Sequence, residues 1–140
     1  MATTKNKRPT PIDNSYAHVQ PQATDVERVV LGALMIDKDA FSIISEILRP
    51  ESFYEPRHQK IFHAIQSLTM EEKPVDIITV TDQLKREGTL DEIGGAAYVV
   101  ELSAQVASSA NIEYHAKILS QKSLARQLIS YASVIETKAF

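Results

Sequence analysis

Of the side chains that could do chemistry, the histidines and the carboxylates come first, because the chain has no cysteine and so no disulfide, no thiolate nucleophile and no Cys-ligated zinc. His58 and His63 are five residues apart, which on a helix separates them by about 140°. They cannot share a metal as histidines four apart can. Glu55 and His58 form a candidate pair, but two ligands fall short of the four a structural zinc needs. His18 and His115 have no partner in sequence. The densest acidic group is Asp76, Asp82, Glu87, Asp91 and Glu92. Paired carboxylates can act as general acid and base, yet Asp76 stands where a helix cap is needed and the others lie on an expected solvent face. No G-x-x-x-x-G-K-[ST], G-x-G-x-x-G or G-x-S-x-G occurs. The catalytic, cofactor and metal classes are therefore left without candidate residues in this chain, and by itself it is expected not to hydrolyse ATP.

The elements that would carry these residues are helices. The 140 residues are 44% hydrophobic and 24% charged, enough for one soluble domain with a modest core. A net charge of −3 argues against a dedicated nucleic-acid binder, whose phosphate contacts require a basic face. Partners are expected to be proteins. No signal peptide and no apolar run long enough for a membrane span is present, so a cytoplasmic protein is the expectation.

The most sharply punctuated stretch is Pro74 to Gly95. Pro74 stops what precedes it, Asp76 can cap a new helix, and Ile77, Val80, Thr81 and Leu84 recur at helical spacing. Lys85 and Arg86 suit the last turn, and Gly88 suits a left-handed cap, so this helix should run from Ile77 to Glu87. Gly94-Gly95-Ala96-Ala97 then opens a further helix, to about Val106, with so little side chain that another backbone could pack closely. Upstream, residues 1–22 carry Lys5, Lys7 and Arg8 with three prolines and no periodicity, and read as a disordered tail. Thr24 and Glu27 have the spacing of a capping box, and Val26, Val29, Val30, Ala33 and Leu34 follow the helical template. Asp37 or Asp39 should cap a second helix through Ala40, Ile43, Ile44, Ile47 and Leu48, ended by Arg49-Pro50. Phe53-Tyr54 could staple the chain onto the core. Pro56 then opens a third helix with Ile61, Phe62, Ile65 and Leu68 buried.

From Ala96 to Phe140 there is neither Gly nor Pro. One long helix is expected from about Asn111, with Ile118, Leu119, Leu124, Leu128, Tyr131, Ile135 and Ala139 as its apolar stripe and Ala125, Ile129 and Ala132 widening it. At about 1.5 Å rise per residue it outreaches a five-helix head. Its outer half should pair with another helix, and the absence of a stop signal at Phe140 is what a piece of a longer helical protein would show. The fold expected is all-α: a compact head over residues 23–109 and a long helix over 110–140. A helix-turn-helix DNA reader over Asp76 to Val106 is the rival, opposed by five acids against Lys85 and Arg86 from Asp76 to Glu92. A free-standing helical adaptor is the other alternative.

Four blocks, in order and at matching spacing, carry a resemblance: VERVVLGALMID (Val26 to Asp37), FYEPRHQKIFHAI (Phe53 to Ile65), PVDIITVTDQLKREG…GG (Pro74 to Gly95) and SSANIEYHAKIL (Ser108 to Leu119). Together the sequence resembles the N-terminal domain of the DnaB family of bacterial replicative DNA helicases from about Thr24 to Phe140. The resemblance implies that the long helix is the first arm of a helical hairpin through which these domains pair, forming a collar of three dimers on a hexameric motor. It further implies docking of the primase C-terminal domain, recruitment of a helicase loader, and contact with DNA through the rest of the parent protein. The family's P-loop motor, with its ATP and magnesium, is missing here. The parent is implied to be an ATP-dependent helicase and this chain an assembly part. Self-association is then expected to rest on Leu124, Leu128, Tyr131 and Ile135.

Overall fold

The computed structural model describes residues 20–139, and among them every regular element is helical. The disordered-tail reading lies, up to residue 19, outside the described residues, as does Phe140. Six α-helices follow in order: α1 (Thr24–Ile36), α2 (Ala40–Ile44), α3 (Pro56–Met70), α4 (Ile77–Arg86), α5 (Gly95–Ala104) and α6 (Ile112–Ala139), with a short 3-10 turn at Pro50–Ser52. The all-α fold and the long final helix agree with expectation.

α1 is the hub. It packs against α5, α6 and α3 and touches α2, and Val30 to Met35 are buried without a break. An amphipathic helix buries one stripe; this one buries its whole circumference over its second half. Gly32 makes that possible. A Cβ built there would lie 2.2 Å from the Leu102 carbonyl oxygen and 2.6 Å from Val106 Cγ2, so only glycine lets the α5 backbone approach.

The close contact anticipated at Gly94-Gly95 is thus in a different place. Those two glycines serve backbone conformation instead: their φ angles are +110° and +75°, and Ala96 and Ala97 are exposed. Two further expectations are corrected. α1 begins after Ala23 with no side-chain cap, because the Glu27 carboxylate turns inward to other donors and the Thr24 capping box does not form. α2 stops at Ile44, well short of Pro50, and Ile43 faces solvent. Leu48 reaches the core from the following turn.

The punctuation of α4 is as read from the sequence. Asp76 accepts a hydrogen bond from the Thr79 amide at 2.9 Å. At the other end Gly88 (φ +75°) and Thr89 donate to the carbonyls of Lys85 and Leu84, closing a left-handed cap. α3 ends the same way, with Glu72 and Lys73 donating to Thr69 and Leu68. There the left-handed residue is Glu72, at φ +59°. α3 also carries Phe62, which packs on Phe53 with ring centroids 5.0 Å apart. Asp37, read as a candidate helix cap, accepts from the Asp39 amide and from the Ser109 hydroxyl, closing the loop before α6 onto the end of α1. The Ser109 hydroxyl, and next the Asp39 amide, hold its carboxyl below the ordinary value.

Two substitutions test this account by urea denaturation. Gly32→Ala gains up to ~1 kcal/mol of helix propensity, but the forced separation of α1 and α5 costs more, and a net loss of about 2 kcal/mol is expected. Glu72→Gly relieves roughly 1 kcal/mol of left-handed strain and should raise the unfolding free energy by about 0.5 kcal/mol after the added unfolded-state entropy, seen as a higher midpoint.

Candidate functional site

Three polar side chains meet inside the head where apolar ones would be expected. Glu27 of α1, His58 of α3 and Tyr98 of α5 are 1%, 0% and 7% exposed. His58 Nδ1 lies 2.7 Å from Glu27 Oε1, and His58 Nε2 lies 2.6 Å from the Tyr98 hydroxyl. Assigning the proton from the partners, the ring donates through Nδ1 to the carboxylate and Nε2 accepts from the Tyr98 O–H. Glu27 also accepts the Tyr54 and Glu55 amides, at 2.5 and 3.4 Å. Every strong group thus has a partner, which burial of polar atoms demands.

Each of the three stands in the register of its helix's buried stripe. Glu27 precedes Val30, Leu31 and Leu34 by three, four and seven residues. His58 precedes Ile61, Phe62 and Ile65 by the same intervals, and Tyr98 precedes Leu102 by four. That register is the signal by which the trio could have been found. Reading Glu27 as half of a capping box hid it.

At the surface Arg57 lies over the Tyr98 ring, 3.8 Å from its centroid, with its Nε 2.9 Å from Glu55 Oε1. Burial raises the Tyr98 pKa above its ordinary value, with Arg57 opposing and Glu55 adding to the effect. The arrangement resembles a nucleophile-base-orienter chain only on paper. The hydroxyl is spent on His58 and nearly sealed from solvent, so no substrate can reach it. It ties three helices together.

The structure brings Glu55 within 4.0 Å of His58 Nε2, while His63 points outward to Glu87 at 3.6 Å. Among the described residues no three or more His, Asp or Glu side chains gather as a metal site. The acidic group is dispersed in pairs: Asp82 with Arg86 at 2.9 Å and Glu92 with Lys60 at 2.9 Å. Among the described residues, no helix is long and apolar enough to cross a membrane.

The remaining candidates lie on α6. Ile112, Ala116, Leu119 and Ser123 are buried against the head, and Arg126, next in that register, is the last residue of α6 that is partly buried. From Gln127 to Ala139 every residue is exposed. Leu124, Leu128, Tyr131 and Ile135 are 56%, 58%, 64% and 68% exposed. At about 100° per residue these four share one face, about 130° round the helix from the head-facing seam. The single apolar stripe read from the sequence is therefore two seams: Leu119 belongs to the inner one and Leu124 onward to the outer.

Comparison with known proteins gives one consistent set of likenesses. The family described as DnaB-like helicase N terminal domain matches residues 19–121. The chain is 44% identical over 122 residues to the replicative DNA helicase DnaB of Rhodothermus marinus, covering 87% of this chain and 13% of that protein. It is 45% identical over 117 residues to that of Geobacillus stearothermophilus, covering 84% and 26%. It therefore spans about a quarter, or less, of these relatives. The crystal structure of the N-terminal domain of DnaB helicase from Mycobacterium tuberculosis superposes with a TM-score of 0.84 at 37% identity, covering 86% of this chain and 84% of that one.

The buried trio predicts a pH response. With its pKa raised in the fold, Tyr98 stays protonated where the unfolded chain has begun to ionise, so the stability it confers is complete below about pH 10 and is lost as pH rises through the folded value. A difference titration at the tyrosinate absorbance, parent minus Tyr98→Phe, should isolate one step above the ordinary value of 10.0. A step at or below that value is the contrary outcome.

Proposed function

The chain belongs to the DnaB-like helicase N-terminal domain family, and from that premise we propose that it is the collar part of a replicative helicase, serving self-assembly and primase docking rather than catalysis. The observation that carries the reading is the outer seam of α6. Leu124, Leu128, Tyr131 and Ile135 expose a row of large apolar groups on a face of the helix turned away from its head-facing seam. A row of this kind is stable in water when a second helix covers it. The proposed occupant is the other arm of a helical hairpin and the hairpin of a second copy.

ATP-driven unwinding is proposed for the whole protein, of which relatives named replicative DNA helicase supply the pattern. This chain has no phosphate-cradling G-x-x-x-x-G-K-[ST], so ATP and magnesium are assigned to a motor elsewhere in the parent. Primase, a helicase loader and DNA enter as partners of that assembly, in the cytoplasm. The rival reading, a helix-turn-helix reader of duplex DNA, meets a physical objection at α5. The would-be recognition helix, GAAYVVELSA, contains no Lys or Arg, and a groove lined by phosphates requires them.

In a chain that carries the head and the whole hairpin without the motor, Leu128→Asp should abolish self-association while leaving helicity intact, since loss of a central apolar anchor costs ~2 kcal/mol or more before the charge is counted. Light scattering reads the outcome. An unchanged mass removes the outer seam from the assembly.

A further inference from the structure

We infer that Arg126 is the positioning residue that sets the direction in which the α6 arm leaves the head. Its guanidinium donates from Nη1 to the Pro21 carbonyl at 2.8 Å and from Nη2 to the Ser52 carbonyl at 3.1 Å. It also sits 5.5 Å from the Tyr54 ring centroid. One side chain thereby joins three segments distant in sequence: the chain entering α1, the 3-10 turn and α6.

Its place in the register gives the contact its consequence. Ile112, Ala116, Leu119 and Ser123 descend the inner seam at intervals of four, three and four residues, and Arg126 follows after three more. The four above it are held by nonpolar burial or close packing, which tolerates small rotations. Arg126 is held by two directional hydrogen bonds from a planar fork, which does not. It is also the outermost residue of that seam, where a given angular error moves the free end most. Thr137 lies about 16 Å beyond Arg126 along the axis, so a swing of about 10° at the clamp displaces it by about 3 Å. Because the inner and outer seams belong to one rigid helix, the clamp also fixes which way Leu128, Tyr131 and Ile135 face.

The consequence for assembly rests on the proposed collar reading, but the arm's direction is a property of this chain alone and is measured without it. The absence of cysteine allows two nitroxide labels to be placed uniquely, at Ser45→Cys on the head and Thr137→Cys on the arm, both exposed positions. Pulsed dipolar spectroscopy is then recorded on labelled chain diluted with unlabelled chain, so that only distances within one molecule contribute. The parent should give one narrow distance distribution. Arg126→Gln should broaden or shift it by about 3 Å or more, with the helical circular dichroism retained. Arg126→Lys keeps the charge but cannot span both carbonyls, and should fall between the two. If Arg126→Gln does not fold, Arg126→Lys decides alone. A distribution superposing on the parent's, even with a lowered melting midpoint, would show that Arg126 only stabilises and would overturn the inference.

Discussion

The Leu102 carbonyl oxygen occupies the space in which any side chain at position 32 would begin, and the rest of the head follows from that approach. With α5 drawn against α1, the remaining faces of α1 are left to α3 and α6, and a helix of 13 residues becomes the axis around which the others are arranged. Val30, Leu31 and Leu34 are almost wholly removed from water, each contributing roughly 1.5–3 kcal/mol as an upper estimate. A glycine inside a helix costs up to ~1 kcal/mol in propensity. The apolar burial it permits on both sides outweighs that.

Close packing alone leaves helices free to slide along one another, since apolar contact has little direction. The Glu27–His58–Tyr98 chain supplies the direction. Its two hydrogen bonds fix α1, α3 and α5 in register, and the Tyr54 amide brings the loop before α3 to the same carboxylate. A fully partnered network of this kind adds specificity more than stability. It shares the buried face of α3 with the Phe53–Phe62 contact one turn further on, so α3 is held by a polar tie near its start and by apolar packing beyond it.

What was legible in the sequence, and what was not, divides along the same physical line. Local rules were readable. Pro56 opens α3, Asp76 caps α4, Gly88 ends it, and the absence of Gly and Pro after Ala96 leaves room for α6. Each is decided by a few neighbouring residues. Glu27 was misread because its i, i+3 relation to Thr24 satisfies a local rule, whereas its actual partners are 27 and 31 residues away. Gly32 was silent because periodicity reports which face is apolar, not how near another backbone comes. The two seams of α6 were merged because a stripe drawn through Leu119 and Leu124 ignores the rotation of about 140° between them, which turns Leu119 into the head and Leu124 away from it. The four outer residues were picked out by the same periodicity, and the structure leaves all four exposed. The family resemblance spans these residues, from about Thr24 to Phe140, but carries no geometry.

Helix α6 joins two requirements that would otherwise conflict. A folded head buries its apolar groups, and the arm of the proposed assembly must expose them. Placing the inner seam on the first half of one helix and the outer seam on the second separates them by rotation as well as by length. The head-facing residues alternate in size: Ile112 and Leu119 enter the core, while Ala116 and Ser123 let the helix lie close to it and Arg126 ends the seam in a polar group. The outer residues are large, as at Leu128, Tyr131 and Ile135, which is what a helix-to-helix contact needs for interlocking. Rotation of the apolar face round the helix, rather than any break in it, marks where the folded head stops and the surface proposed for a partner begins.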